Sequence, residues 1–187
     1  VRLAEAGALL QTLASFTAGM LDGHRMLTHV LHLGDLVAGE HREDAIVECA
    51  VQETGRVLGV PVVLLRTYDE EKKALVARAV HGVEGGVLEA IRDLPVEGSL
   101  AGQVFTTGRP VAVPDVRTLS DRMLLPQLAP EVRSALIVPL RVGGRTLGTL
   151  AVYATTPRTW DETITGYLAT IAAKVALALE NARLWAS

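Results

Sequence analysis

The sequence predicts an α/β domain of the α+β kind, in which a sheet is flanked by helices and long helices stand at both ends. Helical periodicity dominates up to Gly59, short β-branched apolar runs follow, and helical periodicity returns at Asp161. The 187 residues suit one domain with helical extensions, and a hydrophobic content of 49% is enough for a real core. We divide the chain into an N-terminal helical extension, 1–40, and a folded domain, 41–187.

The N-terminal extension shows apolar residues at helical spacing. We expect a break near 19–24, because Gly19 and Gly23 each weaken a helix by about 1 kcal/mol relative to alanine. The segment 42–58 predicts the next helix, with Gly59 as its C-terminal cap. The chain starts at Val1, and we expect it to be a piece of a longer protein.

The middle of the chain alternates between strand and turn signals. The run 60–66 predicts a covered strand, Ala74 to His81 a second strand, and 86–93 one or two helical turns. Ser99 is placed to begin a short helix that Gly108 ends. Further extended, irregular and strand segments follow: an edge piece at 109–116, a lid at 117–131, and two strands at 134–142 and 145–153 around Gly143-Gly144, with Pro139 marking a bulge or an edge.

One apolar seam runs along the predicted final helix, which starts at Asp161. Its members repeat at steps of four and three residues, as in a coiled coil. A soluble helix with such a stripe needs cover from its own sheet or from another chain. We therefore predict a homodimer interface formed by apolar residues of both terminal helices: Leu10, Leu13, Leu27, Leu31, Ile171, Val175, Ala178, Ala182 and Trp185. The alternative is that both helices fold back on their own core.

Composition excludes several functional classes. The net charge is −3 with scattered basic residues, so no nucleic-acid surface is indicated. The uncharged stretch 6–21 is too short and too polar for a membrane span. The single cysteine, Cys49, excludes a disulfide framework and fits a reducing, cytoplasmic location. No nucleophile–base set and no metal-ligand cluster stands out, so we expect no catalytic residues, no metal and no enzyme activity.

Six phrases of the sequence together resemble the GAF domain family of signalling proteins, over roughly 41–184. They occur in the family's order: Val80-His-Gly82, the segment from Gly98 to Pro110, Pro114-Asp-Val116, Ser134 to Leu140, Gly144 to Leu150, and Leu177 to Leu184. The resemblance implies a central antiparallel sheet of about five or six strands, with terminal helices on one face and a lidded pocket on the other. It also implies a cytoplasmic dimer, as in bacterial sensors, that detects a small molecule or relays a signal to an attached output domain such as a kinase.

Within that resemblance, candidate ligand contacts lie near the expected pocket: His81, Val104, Phe105, Asp115, Arg117, Leu124 and Tyr153. A structural role for His81 and a turn-capping Asp115 with a solvated Arg117 are the alternatives. The residues leave two other functions open as well. One is a structural dimerisation module with no ligand, and the other is a small enzyme on this fold.

Subfamilies of GAF domains predict different cofactors. The cyclic-nucleotide signature is represented only by Asp161-Glu162, because the sole asparagine is Asn181 on the final helix. A covalent bilin is not expected, since Cys49 lies on an early helix. The methionine-sulfoxide reductases of this fold need several cysteines. The cofactor is therefore unknown, and haem held by a histidine stays an open alternative.

Overall fold

The computed structural model describes residues 23–29 and 31–187. Residues 23–29 and 31–38 are helical and form helix α1. Helix α2 spans Glu43–Leu58 and ends at Gly59, whose positive φ of 61° is the left-handed conformation expected of a glycine cap. The predicted break near 19–24 and the interface residues Leu10 and Leu13 lie largely or wholly outside the described residues.

Six antiparallel strands form one sheet in the order β3-β2-β1-β6-β5-β4. The two central strands are β1 and β6, and β6 forms a hairpin with β5. The turn of that hairpin is Gly143-Gly144, with φ of 55° and 78°, as a type I′ turn requires. The strands are β1 (Val62–Asp69), β2 (Ala74–His81), β3 (Asp93–Pro95), β4 (Val111–Val113), β5 (Ser134–Val142) and β6 (Arg145–Ala154).

Four further helices and two 3₁₀ turns complete the fold. The helices that follow Ser99 and Asp161 begin with polar N-terminal caps. The Ser99 side chain accepts the Gly102 N–H, and the Asp161 side chain accepts the Ile164 N–H. The elements are α3 (Val87–Ala90), α4 (Leu100–Thr107), 3₁₀ turns at Val116–Thr118 and Ser120–Arg122, α5 (Leu125–Leu128) and α6 (Glu162–Ala186).

The two faces of the sheet carry separate apolar cores. Side chains alternate along β1, so that Val63 and Leu65 face the terminal helices while Val62 and Leu64 face the opposite side. The first core contains α1, α2 and α6. The second contains α4 and the 116–129 segment, which we call the lid. The predicted arrangement of helices on one face and a lid on the other is confirmed.

Helices α1 and α6 run parallel, side by side. Three contacts occur in the same order along the two segments. The Tyr167 hydroxyl donates to the Gly23 carbonyl at 3.2 Å, and Gly34 packs against Lys174. Just after α1, His41 stacks on Trp185 with ring centroids 5.3 Å apart. Leu33 and Val37 of α1 are buried in this contact. The incoming and outgoing helices therefore point in one direction across the same face of the sheet.

Strand, helix and cap positions agree closely with the sequence-based predictions, with one omission. The three-residue strand β3 was not predicted; it pairs with β2 through Ala74–Pro95 and Val76–Asp93. Pro139 pairs with Thr149 of β6 and lies two residues beyond Ile137, where the pairing with the short edge strand β4 ends, which agrees with the predicted edge position. A register shift follows directly, between Leu140 and Arg141.

Among the described helices, α6 alone is long and apolar enough to cross a membrane by length and composition. The buried core helix of a soluble protein passes the same test. Leu168, Ile171, Val175 and Leu179 of α6 are fully buried against the domain. We therefore interpret α6 as a core helix.

Candidate functional site

A small cavity lies between the sheet and the lid, on the face opposite the terminal helices. We call it the inner cavity. It encloses about 20 Å³, far below the ~300–1,000 Å³ typical of sites for drug-sized ligands. It is lined by Arg66, Leu94, Ala101, Arg122, Met123, Leu124, Leu125, Ile137 and Tyr153. Such a space holds about one water molecule, so any ligand, small or as large as a tetrapyrrole, would require the lid to move.

Arg66 lies on the floor of the inner cavity. It is 3% exposed, and it follows Val62 and Leu64 on the same face of β1. Its Nη1 donates to the carbonyl oxygens of Leu75 and Arg92, each at 3.2 Å. Burial lowers the pKa of Arg66, while Tyr153 and Asp93 oppose that shift. A cation is therefore held in a desolvated position by neutral carbonyl groups.

Tyr153 of β6 also lines the inner cavity, within electrostatic range of Arg66. Its residue surface is 5% exposed, and Val62 is its partner on β1. Burial raises the pKa of Tyr153 to about 12, and the charge of Arg66 opposes that shift. The phenol is therefore neutral at physiological pH and available as a hydrogen-bond donor.

The lid is fastened to α4 by Arg122. The Arg122 Nε donates to the Gly98 carbonyl at 3.3 Å, and Nη2 donates to the Gln103 Oε1 at 3.0 Å. An outer groove of about 280 Å³, which we call the vestibule, shares Leu94, Arg122, Met123 and Leu124 with the inner cavity. Its remaining lining is more polar: Pro95, Glu97, Gly98, Ser99, Asp121 and Gln127. Opening the lid would connect the vestibule with the inner cavity.

Comparison with known proteins identifies this arrangement. A GAF domain family description matches residues 40–180, which is well over half of the chain. The chain belongs to the GAF domain family. None of the curated protein sequences matches it.

Solved structures with the same fold include a GAF domain from a phosphoenolpyruvate-protein phosphotransferase of Coxiella burnetii, at 18% identity and a TM-score of 0.79, covering 88% of this chain and 98% of that one. Free methionine-R-sulfoxide reductase from Neisseria meningitidis is similar at 23% identity and 0.75, covering 87% and 93%. Residues 122 to 287 of a methyl-accepting chemotaxis protein are similar at 20% identity and 0.69, covering 82% and 98%. At these identities the likeness establishes the fold.

Two of the seven predicted ligand contacts, Leu124 and Tyr153, line the inner cavity of this GAF domain. Val104 is fully buried in the lid-side core and does not line it. Phe105 stacks on Tyr68, with ring centroids 4.6 Å apart, and lines an open groove on the outer side of α4.

His81 is on the other face of the sheet. It pairs with Val63, whose side chain belongs to the helix-side core, and its ring packs against Gly55 of α2. A β-carbon at position 55 would lie 2.7 Å from His81 Cδ2. The structure thus places His81 against a helix, the position that its structural alternative describes.

Asp115 and Arg117 bind each other. Arg117 Nη2 donates to Asp115 Oδ2 at 2.6 Å, and the Asp115 side chain also accepts the Arg117 N–H at the start of a 3₁₀ turn. These hydrogen bonds from Arg117 hold the pKa of Asp115 well below its usual range. Arg133 lies 3.5 Å from the same carboxylate. The pair braces the start of the lid and lies away from the inner cavity.

The most distinctive cavity residue, Arg66, was not among the predicted contacts. The available signal was a charged residue at the end of the apolar run 62–65, at an inward position of its strand. That signal becomes informative only when the face covered by the lid is known. Arg122, Met123 and Leu125 were recognised as part of the lid, but not as lining residues.

The structure divides the predicted interface residues into a buried group and an exposed group. Ile171, Val175, Ala178 and Ala182 are between 0% and 4% exposed, because their stripe packs on the chain's own sheet and α2. They are therefore not free to contact a second chain. Leu27, Leu31 and Trp185 are exposed, at 45%, 48% and 76%. Leu177 and Leu184, seven residues apart on α6, are exposed too and were not predicted.

Cys49 lies on the helix side of the sheet, where it packs partly buried against that core. Burial raises the pKa of its thiol, which leaves it a weak nucleophile. The thiol is thus separated by the sheet from the inner cavity.

Proposed function

We propose that this chain is a regulatory GAF domain of a larger signalling protein, which binds a small ligand in the inner cavity and relays its presence through α1 and α6. The observation that carries this proposal is the division of one sheet between two roles. The inner cavity occupies one face, and the parallel helices occupy the other. The same strands, β1, β5 and β6, contribute side chains to both faces.

The relay operates by a shift between lid states. A ligand that binds more tightly to one state of the lid favours that state by its difference in affinity. The lid packs on β5 and β6 through Leu125, Ala135 and Ile137, and α6 packs on the reverse of the same strands. A change in lid position therefore reaches α6 through the thickness of a single sheet.

The second element of the proposal is a homodimer formed by the terminal helices. Exposed apolar side chains remain on α1 and α6 after their inner sides are buried: Leu27, Leu31, Leu36, Leu177, Leu184 and Trp185. Apolar side chains spread along two adjacent helices are typical of a surface that another helix covers. A second copy offers the same stripe and can cover both by two-fold symmetry.

The wider context of the proposal follows from the direction of the helices. The two helices α1 and α6 point the same way. A displacement of α6 would therefore be passed on in the direction in which the chain runs along α1. An output domain, such as a kinase or another effector, would receive it as a movement of paired helices. GAF domains of similar structure occur in a chemotaxis protein and in phosphotransferases. We place the protein in the cytoplasm, as those roles require.

The helix interface is tested by the oligomeric state of the 187-residue chain. The double variant Leu177→Lys/Leu184→Lys places two charges in the exposed stripe of α6 without touching the core. We expect light scattering coupled to gel filtration to show a dimer for the wild type and a monomer for the variant. Leu128→Lys on α5 is the matched control, because Leu128 is equally an exposed leucine, at 45%, but lies on the lid side. A monomeric wild type at all concentrations contradicts the interface.

The competing function is a structural dimerisation module with no ligand, and the small size of the inner cavity favours it. Native mass spectrometry separates the two, because it reports the dimer and any retained small molecule in one spectrum. A ligand-binding domain is expected to show a bound mass or to gain one when a ligand is added. The module predicts a bare dimer under all conditions. We propose no catalytic role, because the only thiol lies on the opposite face from the inner cavity.

A further inference from the structure

The charges that line the inner cavity have one sign. Arg66 and Arg122 contribute guanidinium groups and Tyr153 contributes a phenol, whereas none of the nine lining residues is an acid. The acids of this region, Glu97 and Asp121, line the vestibule instead. The inner cavity is therefore electropositive, and its surroundings become more acidic only outside the lid.

Arg66 is the unusual member of this set. A buried charge is costly unless an opposite charge or several hydrogen bonds compensate for it. In the described part of the chain no carboxylate forms a salt bridge with Arg66; its only hydrogen bonds leave Nη1 for two carbonyl oxygens. The nearby Asp93 is held by Lys72 at 3.1 Å. The donors of Nε and Nη2 are left for another acceptor.

The shape of that acceptor follows from the guanidinium. Its planar fork matches a carboxylate, which accepts two parallel hydrogen bonds. The rest of the inner cavity is apolar and would enclose a hydrocarbon body: Leu94, Ala101, Met123, Leu124, Leu125 and Ile137. With the lid in this position the inner cavity encloses only about 20 Å³, so the hydrocarbon body must be small and must displace the lid to enter.

We propose that the inner cavity binds a small monocarboxylate with a compact apolar body, whose carboxylate is held by Arg66. Tyr153 lines the same cavity and donates its hydroxyl to the same group, while Met123 and Leu124 of the lid cover the apolar end. Arg122 lines the mouth and holds the lid shut. This inference rests on the proposed function, since it names the chemistry of the ligand that the lid would report.

The first experiment needs no variant. Thermal unfolding of the wild-type chain is followed with sodium benzoate and sodium isovalerate, and with the neutral analogues benzamide and isovaleramide, at matched ionic strength. We expect at least one carboxylate to raise the Tm in proportion to the logarithm of its concentration, and its amide to have no effect. Sodium sulfate is included to detect any general effect of anions.

The second experiment assigns the site. Isothermal titration with the stabilising carboxylate is repeated on Arg66→Met and Arg66→Lys, with Arg109→Met as the control, because Arg109 is an exposed arginine outside the inner cavity. Charge-assisted hydrogen bonds predict a loss of affinity of roughly 10- to 100-fold for Arg66→Met. Arg66→Lys retains the charge without the fork and is expected to lie between the two. The control is expected to bind like the wild type.

Three outcomes overturn the proposal. No stabilisation by either carboxylate, or equal stabilisation by sulfate, would show that the ligand is not a monocarboxylate. Unchanged affinity of Arg66→Met for the carboxylate would show that Arg66 does not hold it. Equal stabilisation by an acid and its amide removes the requirement for charge but keeps the inner cavity as a ligand site, so the proposed function survives. The oligomeric state of the leucine variants is unaffected by any of these results.

Discussion

Gly102 of α4 lies so close to Val96 that a β-carbon at position 102 would be 1.8 Å from the Val96 carbonyl oxygen. The contact joins the first turn of α4 to the backbone just after β3. The same turn is held by Ser99, whose hydroxyl donates to the Pro95 carbonyl at 2.7 Å and accepts the Gly102 N–H at 3.0 Å. This junction sets the position of α4 above the inner cavity.

Gly102→Ala is therefore expected to destabilise the domain by about 1–3 kcal/mol, the usual cost of an overpacked site. Alanine favours helix formation, so the loss would come from the clash with the Val96 backbone alone. Urea unfolding followed by circular dichroism measures it. The matched control is Gly166→Ala in α6, where a β-carbon meets nothing within 4 Å. The free energy of unfolding of Gly166→Ala is expected to be about 0.5–1 kcal/mol higher than that of the wild type. Equal effects at both positions would contradict the packing argument.

Tyr153 predicts a loss of stability in alkaline solution. The folded-state pKa of about 12 exceeds the ordinary value of 10.0, because burial disfavours the phenolate. The folded protein therefore retains a proton that the unfolded chain releases. The contribution is complete below pH 10 and is lost as the pH rises to about 12. A shift of this size corresponds to a difference on the order of 2–3 kcal/mol.

The measurement compares wild type with Tyr153→Phe. Urea unfolding between pH 8 and pH 12 is expected to show a steeper fall for the wild type above pH 10, and the difference between the two proteins isolates the phenol. Titration of tyrosinate absorbance provides a second readout, since the variant should lose the component near pH 12. Parallel stability curves for the two proteins would show that Tyr153 ionises freely.

Sequence patterns predicted the elements that depend on neighbouring residues. The Gly143-Gly144 turn, the Ser99 cap and the start of the final helix at Asp161 were all found in place, because each is set by contacts within a few positions. Strand β3 was missed for the opposite reason. It has only three residues, and its pairing with β2 bridges the turn and helix between them.

The site was harder to predict because alternation along a strand does not reveal which face carries which partner. His81 and Arg66 illustrate this: one was expected in the pocket and packs on α2, while the other was overlooked and lies on the floor. The seam of α6 shows the same difficulty. Its spacing correctly indicated a buried stripe, but Ile171 and Val175 are covered by the chain's own sheet.

We predict that the charge of Glu43, which connects α2, β2 and α6, contributes to the free energy of unfolding. Its carboxylate lies 3.4 Å from Arg78 Nη1 and 3.3 Å from Arg183 Nε, and all three side chains are about one-quarter to one-third exposed. Glu43→Gln removes the shared charge and leaves both arginines without it. We expect a loss of about 1 kcal/mol, at the upper end for partly exposed ion pairs.

Glu180→Gln is the control for Glu43→Gln. Glu180 pairs only with the exposed Arg145, at 2.6 Å, and that pair should contribute a few tenths of a kcal/mol. Urea unfolding at low and high salt distinguishes the two, since added salt should reduce the effect of Glu43→Gln. A salt-independent loss would mean that packing of the Glu43 side chain, and not its charge, holds α2 in place.

We predict that the hydrogen bonds of Arg122 hold the lid closed. Its two hydrogen bonds, to the Gly98 carbonyl and the Gln103 side chain, connect the lid with α4. Arg122→Ala removes both, and about 1 kcal/mol of lost closing energy would make amide hydrogen exchange in 119–128 roughly five- to tenfold faster. The core strands should exchange as before, because global unfolding does not depend on a surface bond. Arg109→Ala, also an exposed arginine near α4, should leave the lid unchanged. Faster exchange across β1 and β6 as well would show that Arg122 stabilises the whole domain and does not act on the lid alone.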